Sequence, residues 1–282
     1  MNEVGTDPNL NHFVDDLAEI WVQHGLKREI ILPTEEEMIR KHLKYNIVST
    51  MWDPELSGEG AAALYDSENK EIDLYVSYEM AVNPNIECTQ KLRTATEILT
   101  LHEIGHSTQY VDCKPVHKGV FKNVLDFNGA ADQFGEATNS VAEAMISCSY
   151  YNSLGKGRFK LELSDDITNI TPQYLPHYLD HHLYYTWNNK NIRALSYGEY
   201  FGDLFLIMKT FNMSMADVVR SMTVLGGDTA GSMVEKYKSL GLKNFKGMIG
   251  SMGSTSFSSM LGDCEPCTLK DCKQFIKEIN EV

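Results

Sequence analysis

The chain has 282 residues, with 39 Asp and Glu against 25 Lys and Arg, for a formal net charge of −14. That balance disfavours nucleic acid as a partner, because phosphate contacts need an excess of cationic side chains. No apolar run is long enough to span a bilayer and Met1 to Leu10 is polar rather than signal-like, so the expectation is a cytoplasmic protein without a membrane partner.

Taken in order, Asp7-Pro8 marks a helix start, followed by Phe13, Leu17, Ile20, Trp21 and His24 at helical spacing. Glu29 to Leu32 reads as a short strand. Thr34 and Glu37 form a capping-box pattern for a helix running to about Tyr45. A Gly- and acid-rich loop, Asp53 to Gly60, closes this region. Ala61 to Tyr65 and Glu71 to Val76 then read as two strands around Asp66-Ser67-Glu68-Asn69-Lys70, the second alternating Ile72, Leu74 and Val76 against Glu71, Asp73 and Tyr75.

The next helix, about Thr89 to Tyr110, carries Leu92, Ala95 and Leu99 on one stripe and Ile98, Leu101 and Ile104 on another, which predicts burial nearly all round. Within it stands Leu101-His102-Glu103-Ile104-Gly105-His106. Histidines at i and i+4 share a helix face, so His102 and His106 can reach one Zn²⁺, and Glu103 beside them suits a general base that takes a proton from a metal-bound water. The competing reading is a pair of core histidines with Glu103 in a salt bridge.

Catalytic zinc takes three protein ligands and leaves one position for water. A second helix, Phe134 to Cys148, places Glu136, Asn139, Glu143, Ser147 and Tyr150 beside an apolar stripe. Glu143 is the preferred third ligand and Glu136 the closest rival, and whichever does not ligate can hold a ligating histidine from behind. Asp112 and His117 are further candidates. His177, His181 and His182 lie in an aromatic stretch, Tyr174 to Trp187, that reads as a packed aromatic helix. Those histidines are candidates for a second metal or for substrate contact. For stabilising an oxyanion the candidates are these histidines together with Tyr150, Tyr197 and Tyr200.

With these pieces in view the chain resembles the gluzincin-like HExxH metallopeptidases. It is most similar to the zincin domain of ArdC-type antirestriction proteins and more distantly to ImmA/IrrE-type peptidases. The resemblance is carried by Ile72-Asp73-Leu74, by His102-Glu103-Ile104-Gly105-His106-Ser107-Thr108 and by Ser140-Val141-Ala142-Glu143, across residues 61 to 151. Asn139 departs from it, standing where several of those families carry another acid, and nothing after Ser153 matches. The resemblance implies a zincin core and a phage or mobile-element setting.

Beyond this region Gly198 to Phe211 and Ala216 to Leu225 read as apolar helices, and Met248 to Met260 as a flexible connection. Cys264, Cys267 and Cys272 form C-x-x-C-x-x-x-x-C, open to structural zinc, disulfides or free thiols. The expected fold is α+β and mostly α-helical, with a zincin-like core, a small sheet packed on the HExxH helix, and added helices. Its parts are an N-terminal helical region (1–60), the metal-binding core (61–153), a helical C-terminal part (154–250) and a flexible Cys-containing tail (251–282), in one compact unit.

The expected activity is zinc-dependent hydrolysis of a peptide bond in a protein or peptide substrate. The alternative is a non-catalytic, metal-stabilised interaction protein, an antagonist of a host enzyme. Oligomeric state is left open.

Overall fold

The computed structural model describes residues 8–43, 46–49, 61–76, 90–112, 114–115, 130–155, 157–169, 183–188, 190–194, 208, 212–226 and 269–281. These are mostly helical, with small sheets. Helix α1 (Pro8–Lys27) begins at its proline, whose fixed φ suits a first turn, and buries Val14, Leu17, Trp21 and Val22. The strand expected over Glu29–Leu32 is instead a helix-ending turn. Glu29 takes a left-handed φ of 59°, which lets the N–H groups of Ile30 and Ile31 both donate to the Gly25 carbonyl. A short buried apolar run such as Ile30-Ile31 has the same pattern in either conformation.

Helix α2 (Glu36–His42) follows a single 3-10 turn, Pro33–Glu35. Its start is secured by Glu35 rather than by the expected Thr34 and Glu37 pair. One Glu35 oxygen accepts from Leu32 N at 2.8 Å, and the two oxygens accept from the Arg220 guanidinium at 2.6 Å each. That bidentate pairing holds the Glu35 carboxyl below its ordinary range.

The first sheet has the order β1 (Asn46–Ser49), β3 (Glu71–Val76), β2 (Ala61–Asp66), with β1 parallel and β2 antiparallel to the central β3. Asp66 closes the β2–β3 hairpin by accepting from Glu68 N, Asn69 N and Asn69 Nδ2. Tyr65 stands opposite Ile72, so both project from one face, and Ile72 there is fully buried. β2 and β3 pack against α3 (Gln90–Ser107), which the sequence predicted with a slightly longer extent.

α3 in turn packs on the 24-residue helix α4 (Ala130–Ser153), and α1 lies against both. A two-residue hairpin, β4 (Tyr110–Val111) and β5 (Lys114–Pro115), leaves the end of α3. A second sheet has the order β6 (Phe159–Leu163), β7 (Leu183–Trp187), β8 (Lys190–Ala194), all antiparallel. Here Tyr184, Tyr185 and Trp187 lie on a strand, not on the aromatic helix expected for them. Leu183 and Tyr185 point inward, where Tyr185 stacks on Phe159 at 5.3 Å, an arrangement that suits aromatic residues on a pleated surface.

Helix α5 (Met215–Ser221) is shorter than the segment expected over Ala216–Leu225 and is capped by Ser214 and Asp217 reciprocally. The segment expected as a flexible tail contains a helix, α6 (Leu269–Asn280), whose Cys272, Phe275, Ile276 and Ile279 are buried against α4 and β6. Among the described residues no helix is long and apolar enough to cross a membrane.

Candidate metal centre

On α3, His102 and His106 stand one helical turn apart with their rings at 4.6 Å and nearly perpendicular. Their Nε2 atoms are 3.0 Å apart. Glu136, from the early part of α4, brings Oε2 to 3.2 Å from His102 Nε2 and 3.0 Å from His106 Nε2. Three ligand atoms of a tetrahedral ion with bonds of about 2.0–2.1 Å lie about 3.3 Å apart, close to this triangle. Among the described residues this is the cluster of His, Cys, Asp and Glu able to hold an ion.

The opposite edges of the two rings define which nitrogen is protonated. His102 Nδ1 lies 2.7 Å from Glu143 Oε2, and His106 Nδ1 lies 2.9 Å from Gln109 Oε1. Both oxygens are acceptors, so in each neutral ring Nδ1 carries the hydrogen and Nε2 presents its lone pair. Two Nε2 atoms and a carboxylate therefore converge on one point, an arrangement that a positive charge satisfies, whether a proton on an imidazole or a metal ion between neutral rings. The donor set of two imidazoles and one carboxylate fits zinc.

The sequence preferred Glu143 as the third ligand; the geometry brings Glu136 to that position instead. α4 crosses α3 at Asn139, whose Nδ2 donates to the His102 carbonyl at 2.7 Å. Glu136 lies one turn before that crossing and reaches the Nε2 side of the histidines. Glu143 lies one turn after it, and reaches only the Nδ1 side. The crossing is close enough to require glycine: a Cβ on Gly105 would fall 1.9 Å from Asn139 Oδ1.

Burial and charge act in opposite directions across the cluster. Burial lowers the proton affinity of His102, but hydrogen bonds to Glu136 and Glu143 outweigh it and raise its pKa to about 10. Burial raises the Glu136 carboxyl, and the two histidines outweigh that in turn, holding it below its ordinary value. Glu103 is 7% exposed and its carboxyl is raised, chiefly by burial. Its Oε2 accepts from Tyr65 N on β2 at 2.9 Å, which ties the acid to the sheet edge. The Tyr65 ring lies 5.9 Å from that of Tyr110, just beyond α3.

Other predicted residues fall elsewhere. Tyr150 is fourteen residues beyond Glu136 on α4, about 21 Å along the axis at 1.5 Å per residue. Its ring lies against His24 and Tyr151, so a catalytic part for it is not compatible with this placement. Asp112 sits exposed in the β4–β5 turn with φ 49°, outside the cluster. Cys148 and Cys272 are buried free thiols, each pushed up to about 12 by burial. His117, His177, His181, His182, Tyr197, Tyr200, Cys264 and Cys267 lie outside the described residues.

Sequence reasoning missed Gln109 and the Tyr65 amide, and placed Asn139 on the polar face of α4 without its bond to the His102 carbonyl. The i, i+3 spacing from His106 to Gln109 was the available signal for the first, since it is the reach of one helical turn. Against protein-family models, curated proteins and solved structures, the chain finds no match.

Proposed function

We propose that this chain is a zinc-dependent metallopeptidase of zincin type, with His102, His106 and Glu136 as the ligands. The observation that carries the proposal is the convergence of the two Nε2 atoms and the Glu136 carboxylate, with Glu103 buried alongside. A zinc ion held there supplies an acidified water and a Lewis acid for the scissile carbonyl.

The chain's own residues do the rest. Glu103, made a stronger base by its dry setting, would in its ionised form take a proton from the attacking water and deliver it to the departing amine nitrogen. Glu143 keeps the His102 ring turned with Nε2 inward. Tyr65 turns its N–H away from β3 toward Glu103, and backbone alternation points the N–H and C=O of Ala63 and Ala61 the same way. An extended peptide pairing with that edge would run past Glu103, which favours a peptide or protein substrate.

The net charge of −14 supports a second reading, a metal-stabilised protein that binds a basic partner without catalysis. Elemental mass spectrometry of the untagged chain tests the common basis of both. Wild type should carry one zinc, and His106→Ala and Glu136→Ala should lose it. Zinc retained after both substitutions removes the site. Glu103→Gln then separates the readings: as a peptidase it keeps zinc and loses about 10²- to 10⁴-fold in hydrolysis of a library-selected peptide, whereas a binding protein is unaffected.

A further inference from the structure

We infer that Gln109 is a positioning residue of this centre, whose side-chain oxygen fixes the His106 ring with Nε2 free to ligate. The inference rests on the metal reading above.

An amide can be turned either way, and here its surroundings determine which. Gln109 Nε2 lies 2.9 Å from the Gly135 carbonyl and 3.3 Å from Thr138 Oγ1. The Thr138 hydroxyl is itself 2.9 Å from the Gly135 carbonyl, to which it donates, so its oxygen offers a lone pair to Gln109. Turning the amide over would set Oε1 against a carbonyl that can only accept. With the residue only 3% exposed, water cannot make up the loss. Oε1 is therefore held toward His106 Nδ1, at 2.9 Å. The imidazole must donate there, which leaves Nε2 bare on the side of Glu136.

The same side chain links two ligands. Gly135 immediately precedes Glu136, so Gln109 references the His106 ring to the turn of α4 that delivers the third ligand. His102 is oriented differently, by the fully buried carboxylate of Glu143. One histidine is thus held by an anion from α4, and the other by a neutral amide one turn further along its own chain, just past the end of α3. A ligand ring without such support loses affinity because metal binding must then also order it.

The test uses the full chain and zinc in competition with a chromophoric chelator. Gln109→Leu keeps the volume and removes both functions of the amide; zinc should bind about 10- to 100-fold more weakly. Gln109→Met serves as the second apolar replacement should the leucine variant not fold. Gln109→Glu keeps an acceptor for His106 but sets its second oxygen against the Gly135 carbonyl, so it should lose stability in urea unfolding yet bind zinc more tightly than the leucine variant. Nitrogen NMR of the zinc-loaded wild type should show His106 protonated at Nδ1 and metal-bound at Nε2.

Wild-type affinity in the apolar variants overturns the inference. So does a glutamate variant as weak as the leucine one, because Gln109 would then act only as a tie between helices. Wild type that binds no zinc at all overturns the metal reading first and this inference with it.

Discussion

His24 and His102 are both nearly buried, at 4% and 6% exposure, and both direct Nδ1 at a side chain of α4: the Ser149 hydroxyl at 2.8 Å and the Glu143 carboxylate at 2.7 Å. Their proton affinities diverge. Burial takes His24 down to about 4, helped by the charge of Lys27, whereas at His102 the same burial is outweighed by two carboxylates and the value rises to about 10. A hydroxyl completes a hydrogen bond but brings no charge to compensate a desolvated cation. One end of α4 thus packs against a neutral histidine, and the other prepares a histidine for a positive neighbour, whether proton or metal ion.

The comparison breaks most strongly if its anion is removed. Glu143→Gln retains an acceptor for Nδ1 while deleting the charge, and zinc affinity should fall by about 10- to 100-fold. In chelator-treated protein a pH signature accompanies this. The folded value of His102 lies above its ordinary 6.5, so its contribution to stability is complete below pH 6.5 and lost as pH rises through about 10. Urea midpoints should therefore decline over that interval in wild type and decline less in Glu143→Gln. Equal slopes in the two proteins would contradict the part assigned to Glu143.

A second intervention acts on the helix crossing at the same end. Gly105→Ala places a methyl group onto Asn139 Oδ1, and overpacking of this kind costs about 1–3 kcal/mol. Combining it with Asn139→Ala removes the obstacle, so the two substitutions should cost less together than the sum of their separate effects in urea unfolding. Strict additivity would mean that the crossing is not what requires the glycine.

That crossing also explains what the sequence could and could not show. The HExxH spacing, the β2–β3 hairpin and the long helices α1, α3 and α4 follow from local periodicity, and were legible on that account. Choosing between Glu136 and Glu143 was not, since both project from one stripe of α4 and only the crossing at Asn139 separates the Nε2 side from the Nδ1 side. Tyr150 shares the stripe as well, yet helical rise carries it away from the cluster. The strand at Leu183–Trp187 depends on a partner distant in sequence, β6, whereas the turn at Glu29 is closed locally on the Gly25 carbonyl and was hidden because a two-residue apolar run has no period of its own.

At the His24 end the expected pH slope has the opposite sign. Its folded value lies below 6.5, so the unfolded chain binds the proton more readily, and stability present above pH 6.5 is lost as pH falls toward 4. Between about pH 6.5 and 5 neither Glu136 nor Glu103 mimics that loss: Glu136, depressed from an ordinary 4.5, loses its contribution only at lower pH, and Glu103, whose value is raised, adds stability as pH falls. His24→Gln should flatten the decline of the urea midpoint across that window. An unchanged slope would mean that the ring is protonated in the fold.

Tyr150 supplies the smallest expected effect and the cleanest check on the geometry of α4. Its ring packs on His24 and Tyr151, and burial raises the pKa of its phenol, so the hydroxyl stays protonated at neutral pH. Tyr150→Phe preserves that packing and should change stability by no more than about 0.5 kcal/mol. Zinc stoichiometry and any peptide hydrolysis should be those of wild type. A folded Tyr150→Phe protein whose hydrolysis fell a hundredfold, about 2.7 kcal/mol in the barrier, would put the phenol at the reacting carbonyl. The two ends of α4 would then have to meet in one site, which their separation along the helix does not allow.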